Sequence, residues 1–289
     1  MYFIVSTGRS GTTAISNTLS LINDCTCLHE PEPALIKESA AYHYGELSDD
    51  KIKAVLLKTR KAHINNEIYC ESNQTLSLLI PLLNDTYPQA KFIWLIRNGL
   101  DVVASTYQKQ WYTGHSENHD NYNDCPPLEK AWIDGRIQAD QCGVMTTEEW
   151  NNLDRFGKCC WYWSYINNII EKDFKKLPHD KQFIIRLEEF DKRLRKLYKW
   201  MGLKALITPA PKRTNTALRD PFHWSHWNTN ERSTFEKFCG AQMDRYYPEW
   251  RDDENNWNGV DYIKPRFCYI RSKHRLITKI NNAFTFLAQ

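Results

Sequence analysis

The sequence predicts an α/β protein of three layers, α/β/α, with helices on both faces of a central parallel sheet of about five strands. Three observations predict it. The chain opens with a short apolar run, Tyr2 to Val5, which breaks into a loop of glycine, serine and threonine and then into helical spacing at Ile15, Leu19 and Ile22. Lys91 to Arg97 (KFIWLIR) is a continuous apolar stretch, as found in strands buried on both faces of a parallel sheet. Strand-like runs alternate with helical patterns along the chain, the order of βαβ units. With 289 residues, 42% of them hydrophobic, one large domain over 1–289 with a helical elaboration is expected.

The first turn, Ser6-Thr7-Gly8-Arg9-Ser10-Gly11-Thr12-Thr13, carries chemistry. Gly8 and Gly11 let backbone N–H groups turn inward, Thr12 and Thr13 place hydroxyls at a helix N-terminus, and Arg9 adds a fixed positive charge. With Thr7 and Ser10 they form an anion site suited to a phosphate. It is not a Walker A loop, G-x-x-x-x-G-K-[ST], because Thr12 stands where the lysine belongs. An ordinary strand-to-helix turn has the same composition, and the loop alone leaves both readings open.

Cys25 to Leu28 reads as a second strand, leading into His29-Glu30-Pro31-Glu32-Pro33, where the prolines forbid helix and hold the segment extended. Loops leaving the strands of a parallel sheet gather along one edge, so Glu30 can face the first loop; a solvated acidic loop is the alternative. Asp49 to Lys61 has a charged helical pattern, Ile68 to Glu71 is a third strand, and Leu76 to Leu83 reads as an apolar helix closed by Asn84-Asp85. The strand Lys91 to Arg97 ends where a further helix begins, so Arg97 and Ser105 can point to the same edge and hold a second phosphate. Arg155 to Phe174 is helical, with Trp163, Ile166, Ile170 and Phe174 on one core-facing side. Glu231 to Tyr247 is a last helix with Phe235, Phe238 and Tyr246 inward.

Charge and cysteine content narrow the function. A net charge of +3 does not imply nucleic acid, and the nine cysteines, an odd number without paired C-x-x-C knuckles, favour free buried thiols over a disulfide framework or a metal site. No apolar run approaches the roughly eighteen residues of a membrane span and no signal peptide precedes the first strand, so a soluble cytoplasmic protein is expected. Residues 262–289 carry six Lys/Arg and no acid, with Leu276, Ile280, Ala283 and Leu287 on one face of a basic amphipathic helix. That helix is expected to dock on its own domain, and oligomerisation through it is the further possibility. From Thr113 to Arg155, within an insertion spanning 106–158, nine acids face three bases with tryptophans and tyrosines interleaved. Acid-plus-aromatic surfaces repel polyanions and hold amines and guanidinium groups. A solvated insertion whose charge bears on no ligand is the alternative.

At this point the residues carry a family resemblance. Ser6 to Thr13 resembles the 5′-phosphosulfate loop of sulfotransferases that use 3′-phosphoadenosine 5′-phosphosulfate (PAPS), and Arg97 with Ser105 resembles their 3′-phosphate motif. Phe183 to Phe190, containing Arg186, is similar to the family's following strand and R-x-E-D-L segment, and Leu197 to Leu203 to its FLG helix end. The resemblance runs from Tyr2 to Leu203. It implies the P-loop-like sulfotransferase fold, PAPS as donor with PAP as product, and a small-molecule acceptor. In loop type the chain is nearer the GRSGTT-type bacterial and carbohydrate enzymes than the cytosolic ones, which use lysine in the loop and a histidine base. Asn73 stands at that histidine's position and cannot take a proton. Glu30 resembles the glutamate after the second strand in carbohydrate-type members and is the expected base, with His29 in reserve and Arg9 stabilising the leaving phosphate. Lys212 and Arg213, ahead of His223-Trp224-Ser225-His226-Trp227, occupy roughly the place of the family's closing loop over the 3′-phosphate and adenine. In this family the segment corresponding to 106–158 borders the acceptor cleft, and its acids and aromatics make the expected acceptor small and neutral or cationic, such as a guanidinium-bearing natural product or an amino sugar. A P-loop small-molecule kinase and a catalytically silent PAP-binding module are the other readings.

Overall fold

The computed structural model describes residues 1–61, 68–203 and 223–251. The chain divides into two compact units, Met1–Pro248 and Glu249–Gln289, and the first holds the whole sheet. Lys212, Arg213 and the basic segment 262–289 lie outside the described residues, and oligomerisation through that segment gains no support. No described helix is long and apolar enough to cross a membrane.

Strands β1 (Tyr2–Val5), β2 (Cys25–His29), β3 (Ile68–Ser72), β4 (Lys91–Ile96) and β5 (Gln182–Arg186) form one sheet in the order β2-β3-β1-β4-β5. Every pairing is parallel. The connections carry helices α1 (Thr12–Leu19), α2 (Ile36–His43), α3 (Asp49–Arg60), α4 (Ile80–Thr86), α5 (Gly99–Gln108), α6 (Pro127–Asp134), α7 (Thr147–Asn152) and α8 (Arg155–Phe174); α9 (Phe190–Met201) and α10 (Thr229–Tyr246) follow β5. This is the three-layer α/β fold the sequence predicts.

Side-chain alternation along β1 explains the layers. Tyr2 and Ile4 face a core built with Ile15 and Leu19 of α1 and Leu194 and Leu197 of α9. Phe3 points the other way, between Glu71 and Phe92 in register, where Trp94 of β4 packs edge-on against Phe174 of α8. Because both faces are covered, β4 is buried almost throughout, and a strand so placed has to be apolar throughout.

One stretch departs from expectation. The apolar run from Leu76 to Leu83 is not one helix but a 3-10 turn over Gln74–Leu78 followed by α4, which starts with Pro81 in its first turn. Proline supplies no N–H, so it is tolerated at a helix start and breaks a helix that would run through it.

A charge pair is enclosed in this apolar layer. Arg60, at the end of α3, meets Glu71 of β3 through Nε–Oε2 (2.8 Å) and Nη2–Oε1 (2.9 Å), both side chains having no exposure at all. Tyr69 donates to Glu71 Oε2 (3.0 Å), Asn73 donates to Oε1 (3.3 Å), and Arg60 Nη2 also reaches the Pro33 carbonyl (3.0 Å). Removing one partner strands the other charge in the core. Glu71→Ala is expected to destabilise the fold by about 3–5 kcal/mol, measured by urea unfolding; an unchanged midpoint would show that the network contributes nothing.

Candidate active site

Parallel strands deliver their following loops to one edge, and β1, flanked by β3 and β4, is where the sheet order switches direction. The loop after β1 holds its shape with its own polar groups. Thr7 Oγ1 and Ser10 Oγ share a 2.6 Å hydrogen bond, and Ser77 Oγ accepts from the Ser6 N–H (3.0 Å) and donates to the Ser6 carbonyl (2.8 Å). Gly11 takes a left-handed φ of 87° as it caps α1. Gly8 answers a different demand: a Cβ there would lie 2.3 Å from Gln74 Oε1 and 2.5 Å from Trp111 Cη2.

The two candidate phosphate motifs meet. Arg9 Nε donates to Ser105 Oγ (3.0 Å), and Arg97 Nη1 donates to the Arg9 carbonyl (2.8 Å). Arg97 Nη2 pairs with Asp101 (3.2 Å). Burial lowers the pKa of Arg9, and the neighbouring Arg97 charge lowers it further. Two guanidiniums are therefore drawn to one loop, and among the described residues Asp101 is bonded to Arg97 alone, so an anion placed there offsets the surplus.

On the opposite side of the loop stands Glu30. Its N–H donates to the Ser72 carbonyl (2.9 Å), its φ of 45° is left-handed, and its carboxylate accepts from Gln74 Nε2 (3.1 Å). Burial pushes its pKa up, against the lowering effects of His29 and of the Gln74 hydrogen bond. Gln74 is tied back to the phosphate loop, since Tyr162 OH donates to Gln74 Oε1 (3.3 Å) while accepting from the Gly8 N–H (3.0 Å). Four non-glycine residues at this edge, Arg9, Glu30, Gln110 and Tyr112, have positive φ. Backbone strain of this kind costs on the order of 1–3 kcal/mol per residue and collects at functional sites.

Beyond Gln74 opens a cleft with about 390 Å³ of empty space, part of it open to solvent. Its walls include Ile36, Leu78, Trp111, Trp132, Arg136 and Tyr162. Trp111 stands edge-on to Tyr162, with ring centroids 5.0 Å apart.

Several expected roles change. The Ser72 carbonyl can only accept, so His29 Nδ1 carries the proton that reaches it (3.2 Å), and Nε2 accepts from the Thr13 hydroxyl (2.9 Å). His29 thus has no free nitrogen for base duty, and the Thr13 hydroxyl proton is directed at His29 instead of a phosphate. Asn73 is fully buried as a cap, accepting from the Thr75 N–H (3.0 Å). Arg186 reaches Glu189 (2.5 Å) and the Tyr246 carbonyl (3.1 Å), tying β5 to α10.

The acidic stretch is also spent elsewhere. Glu117 pairs with Lys109, Glu129 with His119 and Asp134 with Lys37, while Glu149 completes the capping box of α7 and Asp154 caps α8. None of its acids lines the cleft. The cationic acceptor expected from them therefore loses its basis. His119, Cys125 and Glu129 bring ligand atoms within 4.8 Å of one another, but His119 and Glu129 already satisfy each other at 3.1 Å. The eight described cysteines are free, as expected. Gln74, Tyr162 and Arg136 were not singled out by the sequence; the available signal was the position of Gln74 just past a strand end.

Residues 2–135 match the model of the sulfotransferase family. Over that stretch, somewhat under half of the chain, the sequence is similar to the sulfotransferase family. No curated protein sequence matches it. Similar solved structures include a sulfotransferase from Alicyclobacillus acidocaldarius (15% identity, TM-score 0.49, covering 89% of this chain and 97% of that one) and STF9 from Mycobacterium avium (13%, 0.49, 85% and 76%). Mouse sulfotransferase SULT7A1 complexed with PAP is another (15%, 0.45, 87% and 86%).

The loop after β1, Gln74 and the cleft share one close contact at Gly8. Gly8→Ala forces Gln74 and Trp111 away, and a misplacement of about 1 Å costs roughly 100-fold in turnover. The expected outcome is that loss with a nearly unchanged melting temperature; full activity would show that the close approach has no function.

Proposed function

We propose that this sulfotransferase moves the sulfuryl group of PAPS to a hydroxyl or amine of a small acceptor bound in the cleft, with Glu30 as general base. The single observation that carries the reading is the convergence of Arg9, Arg97 and Ser105 at one loop, which builds a site for two phosphates from segments far apart in the chain. PAPS supplies an activated sulfuryl group on a phosphate leaving group. Arg9 and the loop N–H groups stabilise the charge that grows on that phosphate as its bond to sulfur breaks, and Arg97 with Ser105 holds the 3′-phosphate. Glu30 takes the proton of the acceptor as the new bond to sulfur forms. Gln74, bonded to Glu30 and lining the cleft, aims that carboxylate. A base so aimed weighs against a silent PAP-binding module, and Thr12 in place of a loop lysine weighs against a kinase. Arg186, Lys212 and Arg213 are further candidate nucleotide ligands by family position.

Calorimetric titration with PAP, using ATP as competitor, tests the donor. Micromolar PAP binding that ATP does not displace, weakened at least about tenfold in Arg97→Ala, is expected, since a charge-assisted contact is worth about 1.5–3 kcal/mol. A preference for ATP would put the kinase reading first.

The pH profile tests the base. Glu30 works ionised and burial raises its pKa, so kcat/KM should rise with pH along a limb centred above the ordinary glutamate value of about 4.3. Gln74→Leu removes an interaction that lowers this pKa, so the limb should move to higher pH, and in Glu30→Gln the limb and most of the activity should vanish. A limb unaffected by both substitutions would remove Glu30 from the reaction.

A further inference from the structure

The cleft next to Gln74 contains a cation that has no counter-charge among the described residues. Arg136 is the charged residue among those lining it, and among the described residues its guanidinium has no hydrogen bond and no carboxylate partner. Its neighbours are rings: the guanidinium carbon lies 4.1 Å from the centre of Trp111 and 5.7 Å from that of Tyr112. Burial lowers its pKa, and the groups that act against this are Tyr112, Tyr162 and Cys159, none of them a carboxylate. Ring faces offset part of the cost of desolvating a guanidinium, but they offer no hydrogen-bond acceptor in its plane.

The position is built rather than incidental. Gly135 sits so close to α2 that a Cβ would meet Ile36 Cγ2 at 2.6 Å. The Ile137 carbonyl accepts from Tyr112 OH (2.8 Å), and the Gln138 N–H donates to Tyr44 OH (3.0 Å). The backbone on both sides of Arg136 is thus pinned, and Trp111 holds the side chain. Gln110 and Tyr112, which flank Trp111, have the left-handed φ values of 57° and 65° needed to place it.

We propose that Arg136 is an anion subsite for the acceptor, so that the molecule sulfated here is a hydroxy- or amino-carboxylate with an apolar body. The guanidinium fork matches a carboxylate in two parallel hydrogen bonds. Its charge is opposite to the one that would hold an amine, and the apolar walls of Ile36, Leu78, Trp132 and Ile137 suit a ring or short hydrocarbon between the carboxylate and the group sulfated. The proposal rests on the reading of this cleft as the acceptor site.

The test compares three probes of one shape on the full chain loaded with PAP: 4-hydroxyphenylacetate, its methyl ester and tyramine, titrated calorimetrically. The acid should bind at least about tenfold more tightly than the ester, as a charge-assisted pair requires, with tyramine the weakest. Arg136→Gln should bring the acid down to the ester, Arg136→Lys should keep part of the difference, and PAP affinity should stay within about twofold, as for a residue outside the donor site. Equal binding of acid and ester, no binding of the acid, or a loss of PAP affinity in Arg136→Gln as large as the loss of the acid would overturn the subsite. The wild-type comparison needs no variant to fold. If the chain does not bind PAP, the donor reading fails, and the acid–ester comparison on the free chain still decides Arg136.

Discussion

The buried pair of Arg60 and Glu71 is the constraint through which the acceptor side of the site is placed. It joins the end of α3 to the central sheet, and through Pro33 it reaches the segment that carries His29 and Glu30. Asn73, bonded to Glu71, extends the network to Thr75 and to the Ala34 carbonyl at the start of α2. A buried ion pair is a weak source of net stability, because desolvation consumes most of its Coulomb energy. Its value here lies in specificity: five polar partners satisfy one another in a single arrangement, and that arrangement sets where the chain turns after β2.

Two linked consequences follow at the sheet edge. The Ser72 carbonyl accepts from both His29 and the Glu30 N–H, so the turn after β2 is held against the end of β3. Gln74, two residues further, then bridges Glu30 and Tyr162, and Tyr162 accepts from Gly8. Donor loop and candidate base are therefore connected by three hydrogen bonds through Tyr162 and Gln74.

The electrostatic design separates two kinds of charge. Two guanidiniums, Arg9 and Arg97, meet at the candidate donor loop, and a further cation, Arg136, sits in the cleft with no carboxylate partner among the described residues. Five of the nine carboxylates of the 113–155 stretch serve as helix caps or ion-pair partners, and none of the nine lines the cleft. Charge counted along a chain does not distinguish an acid that caps a helix from one that faces a ligand, because both occupy loops and helix ends. That is why the count pointed to a cationic acceptor and the geometry does not.

The sequence by itself determined the fold class and nominated the residues of the candidate donor site. β4 was legible because burial on both faces requires an uninterrupted apolar run, and the turn after β1 was legible because its glycines, hydroxyls and arginine are contiguous. Glu30 could be singled out because the following prolines fix its segment. Tertiary structure alone decided which of the nominated groups are available: His29 is consumed by Thr13 and Ser72, and Asn73 is buried as a cap. It also decided which residues of the 106–158 insertion line the candidate acceptor cleft, where Gln74 after β3, Trp111 after α5, Arg136 after α6 and Tyr162 on α8 converge. Those residues follow no local pattern, since parallel crossovers bring together segments that no short-range periodicity relates.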